Sequence, residues 1–332
     1  MSSEALAETA EPTRRNILSR LAAVPLGGVA LALVLIFTVS CFLSEHFLTP
    51  YNMTIMARTL AFVGMVTIGQ AMLLILGELD LSLGTIAGLS GVIGGILMVQ
   101  LNWNPWLSFA LCLVLGTLCG MLNGTLLVGL RLHSLVLTIG MAGVYGGANL
   151  VVTKGVAITG IPNEISWLGK GAPWGLPVPF LLMVSMLVVI SFLAFKTPFG
   201  RYVYAIGNNA SAARMLGIHV DTVRICVFAI AGFLSALAGI LMVARLGTAQ
   251  PSIGDAWVLP PIAASVIGGV ATTGGVGSPI GAILGAAIIG IIENIIVLFG
   301  ISPYWQSVVS GAIVVLAISF DSVSRRYLRR EE

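Results

Sequence analysis

Three carboxylates stand inside apolar runs of this chain. Glu78 and Asp80 lie in Gly77-Glu78-Leu79-Asp80-Leu81-Ser82-Leu83-Gly84, and Glu293 lies beside Asn294. An ionised group at the centre of a bilayer costs roughly 2.5–3.5 kcal/mol on insertion scales, so each must have a compensating role. Two roles are open. Asp80 or Ser82 can cap the start of the following helix, where free amides and the helix dipole favour an anion. Otherwise the acids belong to a substrate or proton path. Gln70, Asn123, Asn149 and Asn294, with Gln250 at an outer mouth, offer hydrogen bonds without a fixed charge, which suits a hydroxyl-rich solute such as a sugar. Amides of this kind also tie helices together, and most of them are expected to do that.

Covalent chemistry finds little support. Gly88-Leu89-Ser90-Gly91 matches the short serine motif of intramembrane proteases, but a serine nucleophile needs a base within reach. His46, His133 and His219 all fall at the edges of apolar runs. No Gly-x-x-x-x-Gly-Lys-Ser/Thr loop occurs, so any ATP must be bound by another subunit. Cys41, Cys112, Cys119 and Cys226 lie in apolar runs without the paired spacing of a metal site and read as packing residues.

One polar island interrupts the greasy chain, Lys196 to Arg224, with four of the sixteen basic residues. Within it, Asn208 and Asn209 are side chains that accept from helix amides. Ala210 to Leu216 are good helix formers, and Gly217 can take the left-handed geometry that ends a helix. Seven residues rise roughly 10 Å, too short to cross a bilayer or to be stable alone, so this helix must dock on something. Ala212, Met215 and Leu216 form its expected apolar face, and Arg214 offers a cation.

Gly207-Asn208-Asn209-Ala210-Ser211-Ala212-Ala213-Arg214-Met215-Leu216-Gly217-Ile218 resembles the cytoplasmic coupling motif of the permease subunits of bacterial ABC sugar importers, the ribose, arabinose and xylose group. The resemblance runs from about Phe47 to Asp321. That family's pattern has a second glycine where Asn208 stands and an acidic residue where Ala210 stands. Gly77 to Gly84 resembles its Gly-Gly-Ile-Asp-Leu-Ser-Val-Gly signature, with Glu78 in place of a small residue. The resemblance implies a permease subunit in the bacterial inner membrane. Its partners would be an ABC ATPase subunit, a periplasmic sugar-binding protein and a second permease copy or paralogue. Asn208, Asn209, Ala212, Ala213, Arg214 and Gly217 would couple it to the ATPase. The chain itself would hold no cofactor and no catalytic residue, ATP being bound by the partner.

The elements that must position these residues follow from composition. The chain has 332 residues, 58% hydrophobic and 9% charged, where soluble globular chains carry about 25% charged residues. Runs of roughly 17–25 apolar residues cross the hydrocarbon as helices, and the lack of polar–apolar alternation excludes a barrel. The expectation is an all-α polytopic membrane protein of about ten transmembrane helices, some broken or re-entrant, with both termini cytoplasmic. Spans are read at about Val24–Leu43, Met56–Gly77, Leu83–Leu101, Trp106–Leu130, His133–Thr153, Val178–Phe195, Val223–Ala244, Leu259–Ala271, Pro279–Phe299 and Tyr304–Phe320. A tail at 1–23 and another at 321–332 flank a single permease domain, 24–320. Twelve basic residues fall on the side of the Lys196–Arg224 loop and four on the other, Arg58, Lys154, Lys170 and Arg245, which puts the loop in the cytoplasm. No basic face for nucleic acid forms, and the remaining contact surface is lipid.

The segment 154–179 then faces outward, with four prolines that prevent a long helix and with Trp167 and Trp174 suited to the lipid interface. It reads either as part of a platform for the binding protein or as an interfacial connector. Met72–Ser90 and Ala264–Leu284 each run apolar, then glycine-rich, then apolar again, the mark of a transport site built from broken helices. Gly281-Ala-Ile-Leu-Gly285 is expected to serve close helix packing. The rival functional reading is an ion-coupled secondary transporter using Glu78, Asp80 or Glu293.

Overall fold

The computed structural model describes residues 26–302 and, beyond them, scattered positions from 305 to 319. Helix α1 (Gly27–Leu43) leads to α2 (Pro50–Leu76), which Thr49 caps by accepting from the Asn52 amide and which ends at Gly77, φ 87°. Then come α3 (Leu83–Gly95), continued by a wider turn over Ile96–Gln100, α4 (Pro105–Leu130) and α5 (Ser134–Thr153). After a connector, α7 (Val178–Lys196) precedes α8 (Pro198–Asn208), α9 (Ala210–Met215) and α10 (Val220–Leu246). The connector contains β1 (Ile158–Thr159) and the short α6 (Ser166–Lys170). β2 (Thr248–Ala249), α11 (Leu259–Ile267) and α12 (Pro279–Leu298) complete the described chain. Among the described residues, seven helices are long and apolar enough to span: α2, α3 with its extension, α4, α5, α7, α10 and α12.

The core is the pair α2 and α10, buried over most of their length and flanked by α3 and α4. Their backbones approach closely. A Cβ on Gly232 of α10 would stand 2.2 Å from the Gly116 carbonyl oxygen of α4, and one on Gly239 would stand 2.0 Å from that of Ala87 on α3. Lipid tails are as apolar as leucine, so such fitted contact, rather than exclusion of water, holds helices together in a bilayer. Gly281 and Gly285 press likewise on the backbone of Gly268 and Ala264, as their spacing implies.

Bonds between elements sort the helix ends. The Leu79 amide donates to Ser134 Oγ and the Gly275 amide to the Ile75 carbonyl, so the starts of α5 and α12 share the end of the bundle where α2 stops. At the opposite end, Asn52 and Asn294 exchange two amide bonds of 3.0 and 2.8 Å, Arg58 donates to the Lys170 carbonyl, and β1 pairs antiparallel with β2. The connector 154–179 forms no long helix.

Three expectations need correction. Leu259–Ala271 is not a spanning helix: α11 has nine residues, about 14 Å, and stops at Gly268. Glycines with positive φ at Gly269, Gly274, Gly275 and Gly277 then carry the chain on as an irregular loop. The polar island holds two helices rather than one. Asn208, expected to cap the docking helix, is instead the last residue of α8. The signal for α8 was present: Thr197 accepts from the Gly200 amide, with Pro198 at the first helical position. Eight of the seventeen positions of Tyr304–Phe320, and both tails, lie outside the described residues.

Replacing Gly239 by valine should lower the thermal midpoint of the detergent-purified protein, at an overpacking cost of about 1–3 kcal/mol. An unchanged midpoint would show that the α3–α10 contact has slack.

Candidate functional site

Helix α9 begins at Asn209, whose Oδ1 accepts from the Ala212 amide at 3.0 Å. It ends where Gly217 takes φ 81° and the Ile218 amide returns to the Ala213 carbonyl at 3.1 Å. Arg214 pairs with Asp221 at the start of α10, both half exposed, an ion pair that fixes direction more than stability. The expected apolar face is divided differently. Ala213 is the residue that packs inward, Ala212 is half-buried, and Met215 and Leu216 are 83% and 81% exposed. Exposed Ser211, Arg214, His219 and Asp221 surround them, so two large apolar side chains project from among polar and charged neighbours.

Helix α8 joins this knob to the core. It buries Gly200, Val203 and Ile206, and Tyr204 Oη donates to the Gly277 carbonyl at 2.8 Å. Asn208 Nδ2 donates to the Tyr204 and Gly275 carbonyls at 2.9 and 3.4 Å. Gly207 admits no side chain, because a Cβ there would stand 2.0 Å from the Ile75 carbonyl oxygen. Gly274 is also close, a Cβ there standing 2.8 Å from the Gly207 carbonyl oxygen and 2.9 Å from the Gly77 Cα. The two glycine-interrupted stretches thus meet each other, and both meet α8.

Beside this junction is a closed polar cluster. Asp80 Oδ1 accepts from the amide and hydroxyl of Ser82 at 2.7 and 2.6 Å, and Asp80 Oδ2 accepts from Asn123 Nδ2 at 3.1 Å. Asn123 also donates to Ser82 Oγ at 2.8 Å and accepts from Tyr145 Oη at 2.9 Å. Burial pushes the Asp80 carboxyl above its usual range, and the donors from Ser82 and Asn123 pull it back. The Leu81 amide donates to Thr138 Oγ1 at 3.1 Å, so α5 holds this loop at a second point. Glu78 faces Arg224 of α10 at 3.1 Å, with the Arg224 N–H not aimed along the contact.

The other polar residues expected on a path are scattered. Gln70 is buried in α2. Asn149 Nδ2 donates to the Pro251 carbonyl at 2.8 Å, and Gln250 lies at the outer end near Thr248. Asn294 is tied to Asn52. Glu293 borders a cavity of about 640 Å³ between α2, α11 and α12, together with Thr59, Asp255, Trp257 and Gln306. Ser90 is fully buried at the α3–α4 contact, facing Gly116, and no bond ties it to any histidine among the described residues. Sequence reasoning missed Asn52, Tyr145, Thr138, Tyr204 and Arg224 as partners. Each looks ordinary on its own helix and gains its role from a residue 22 to 242 positions away.

Comparison with known proteins matches residues 52–318 to the family described as "Branched-chain amino acid transport system / permease component". The chain is 36% identical over 296 residues to the ribose import permease protein RbsC of Bacillus subtilis, covering 89% of this chain and 92% of that protein. It is 31% identical over 296 residues to RbsC of Escherichia coli K12, covering 88% and 92%. It is also 31% identical over 306 residues to the autoinducer 2 import system permease protein LsrC of Escherichia coli O9:H4, covering 91% and 89%.

Asn123→Leu should destabilise the protein by about 2–3 kcal/mol, because it removes a donor from a buried carboxylate, while Tyr145→Phe should cost only about 1 kcal/mol. Unfolding midpoints of the two variants that coincide with each other and with wild type would contradict the closed cluster.

Proposed function

Because the chain belongs to the branched-chain amino acid transport system / permease component family, we propose that it is the transmembrane permease subunit of an ATP-driven importer for a monosaccharide. It is a multi-pass protein of the bacterial inner membrane. A periplasmic binding protein delivers the sugar, a second permease copy or paralogue completes the membrane unit, and a separate ATPase subunit binds the ATP. The relatives named for ribose and autoinducer 2 import support a hydroxyl-rich solute, although the family description speaks of branched-chain amino acids.

The observation that carries this reading is the capped α9 knob with Met215 and Leu216 projecting into water. Asn209 and Gly217 hold its two ends, Ala212 and Ala213 set it on the protein, Arg214 is steered by Asp221, and Asn208 ties it back to the Gly275 loop. Motion imposed on α9 by an ATPase reaches the ends of α2 and α8 through the glycine junction, and the bundle reorients. The work comes from partners that bind the two orientations with different affinity. The ion-coupled alternative has nothing in its favour here: Glu78 is paired with Arg224, and Asp80 is held by Ser82 and Asn123.

Met215→Asp with Leu216→Asp should leave insertion and thermal midpoint unchanged while removing the ATPase subunit from the purified complex. Gly217→Pro, which cannot take the positive φ, should preserve insertion but uncouple ATP hydrolysis from uptake. Co-purification of the ATPase at wild-type yield with the double aspartate variant would end the docking assignment.

A further inference from the structure

We propose that the Glu78–Arg224 ion pair is a second coupling contact, one that carries motion of the docking segment into the buried polar cluster. This rests on the importer reading above. Asp221, which holds Arg214 of α9, stands one helical turn before Arg224 on α10, so the two side chains share a face. Arg224 then meets Glu78, two residues from Asp80. Asp80 binds Asn123 of α4, and the peptides of Leu79 and Leu81 donate to Ser134 and Thr138 of α5. A route therefore runs from the exposed knob to the two helices on the far side of the Gly77–Ser82 loop, through the two ion pairs, the one turn of α10 that joins them, the loop backbone and its hydrogen bonds.

The pair is poorly suited to simple stabilisation. Glu78 is 9% exposed and its side chain meets a half-buried guanidinium across 3.1 Å without a straight hydrogen bond. Buried pairs of that kind repay their desolvation badly, and well-packed apolar residues would do as well or better. What opposite charges add is a contact with a direction, which opens when α10 shifts and water enters. The loop is held by three other ties, at Asp80, Leu79 and Leu81, so loss of the ion pair leaves the loop folded and disconnects it only from α10.

The test uses the whole importer in proteoliposomes, with the co-purified ATPase and binding protein and with ribose as the probe. Glu78→Gln and Arg224→Gln should each assemble normally yet import about tenfold less ribose per ATP hydrolysed, the scale of a typical coupling between sites. The reversed pair E78R/R224E should regain most of that ratio. If the reversed pair fails to assemble, Arg224→Lys replaces it and should fall between wild type and the glutamine variants. Wild-type ratios in both glutamine variants would overturn the proposal, as would a reversed or lysine variant that assembles but stays as uncoupled as they are. A wild-type complex that lacks an ATPase, or imports neither ribose nor any other monosaccharide, would instead overturn the importer reading on which the pair depends.

Discussion

Backbone that leaves the helix inside a hydrocarbon layer must satisfy its N–H and C=O groups within the protein, since no water is there to do it. This constraint organises the end of the bundle where α2 stops. The Gly77–Ser82 stretch gives its amides to Ser134, Thr138 and Asp80 and to the last turn of α2. The loop after α11 closes on itself, with the Ala271 amide donating to the Val276 carbonyl, and reaches across to Ile75 through Gly275. Two irregular segments that neither helix nor lipid could satisfy are therefore made dependent on each other, and α8 is drawn in by the same need.

That dependence explains why polar side chains concentrate where they do. Asp80, Ser82, Asn123 and Tyr145 use their groups on one another and on a loop, and the result is a rigid polar cluster surrounded by glycine-packed helices. At the opposite end, Asn52 and Asn294 do the same with two bonds, clamping α2 to α12. Fully satisfied networks of this kind hold a single arrangement, and a half-satisfied one would be worse than none.

Much of this was legible in advance, for reasons that differ by element. Long apolar runs mark α2, α4 and α10, and local caps sharpen some of their ends: Pro50 and Gly77 at the two ends of α2, Asn104 with Pro105 at the start of α4, and Gly247 at the end of α10. Helix α9 was readable as a helix for the same reason, its Asn209 and Gly217 flanking it directly. What escaped was masked, non-local or dependent on direction. The pair Gly268-Gly269 inside Leu259–Ala271 is a local stop signal that the apolar run around it masked, and the path beyond it is held by contacts with α2 and α8. Spacing does not say that Ala213, rather than Met215 or Leu216, turns inward. On so short a helix the burying face is chosen by where its flanking turns are anchored.

Helix α2 runs unbroken for 27 residues, with the Asn52 clamp at one tip and the Gly77 junction at the other. A stiff bar of about 40 Å that pivots by only ~5° moves its free tip by roughly 3.5 Å, more than the width of a water molecule. For an importer of the kind proposed above, leverage of this order would turn a small tilt of α2 about its Asn52 clamp into a displacement at the Gly77 junction wide enough to matter to a passage, with no helix along the way having to unwind.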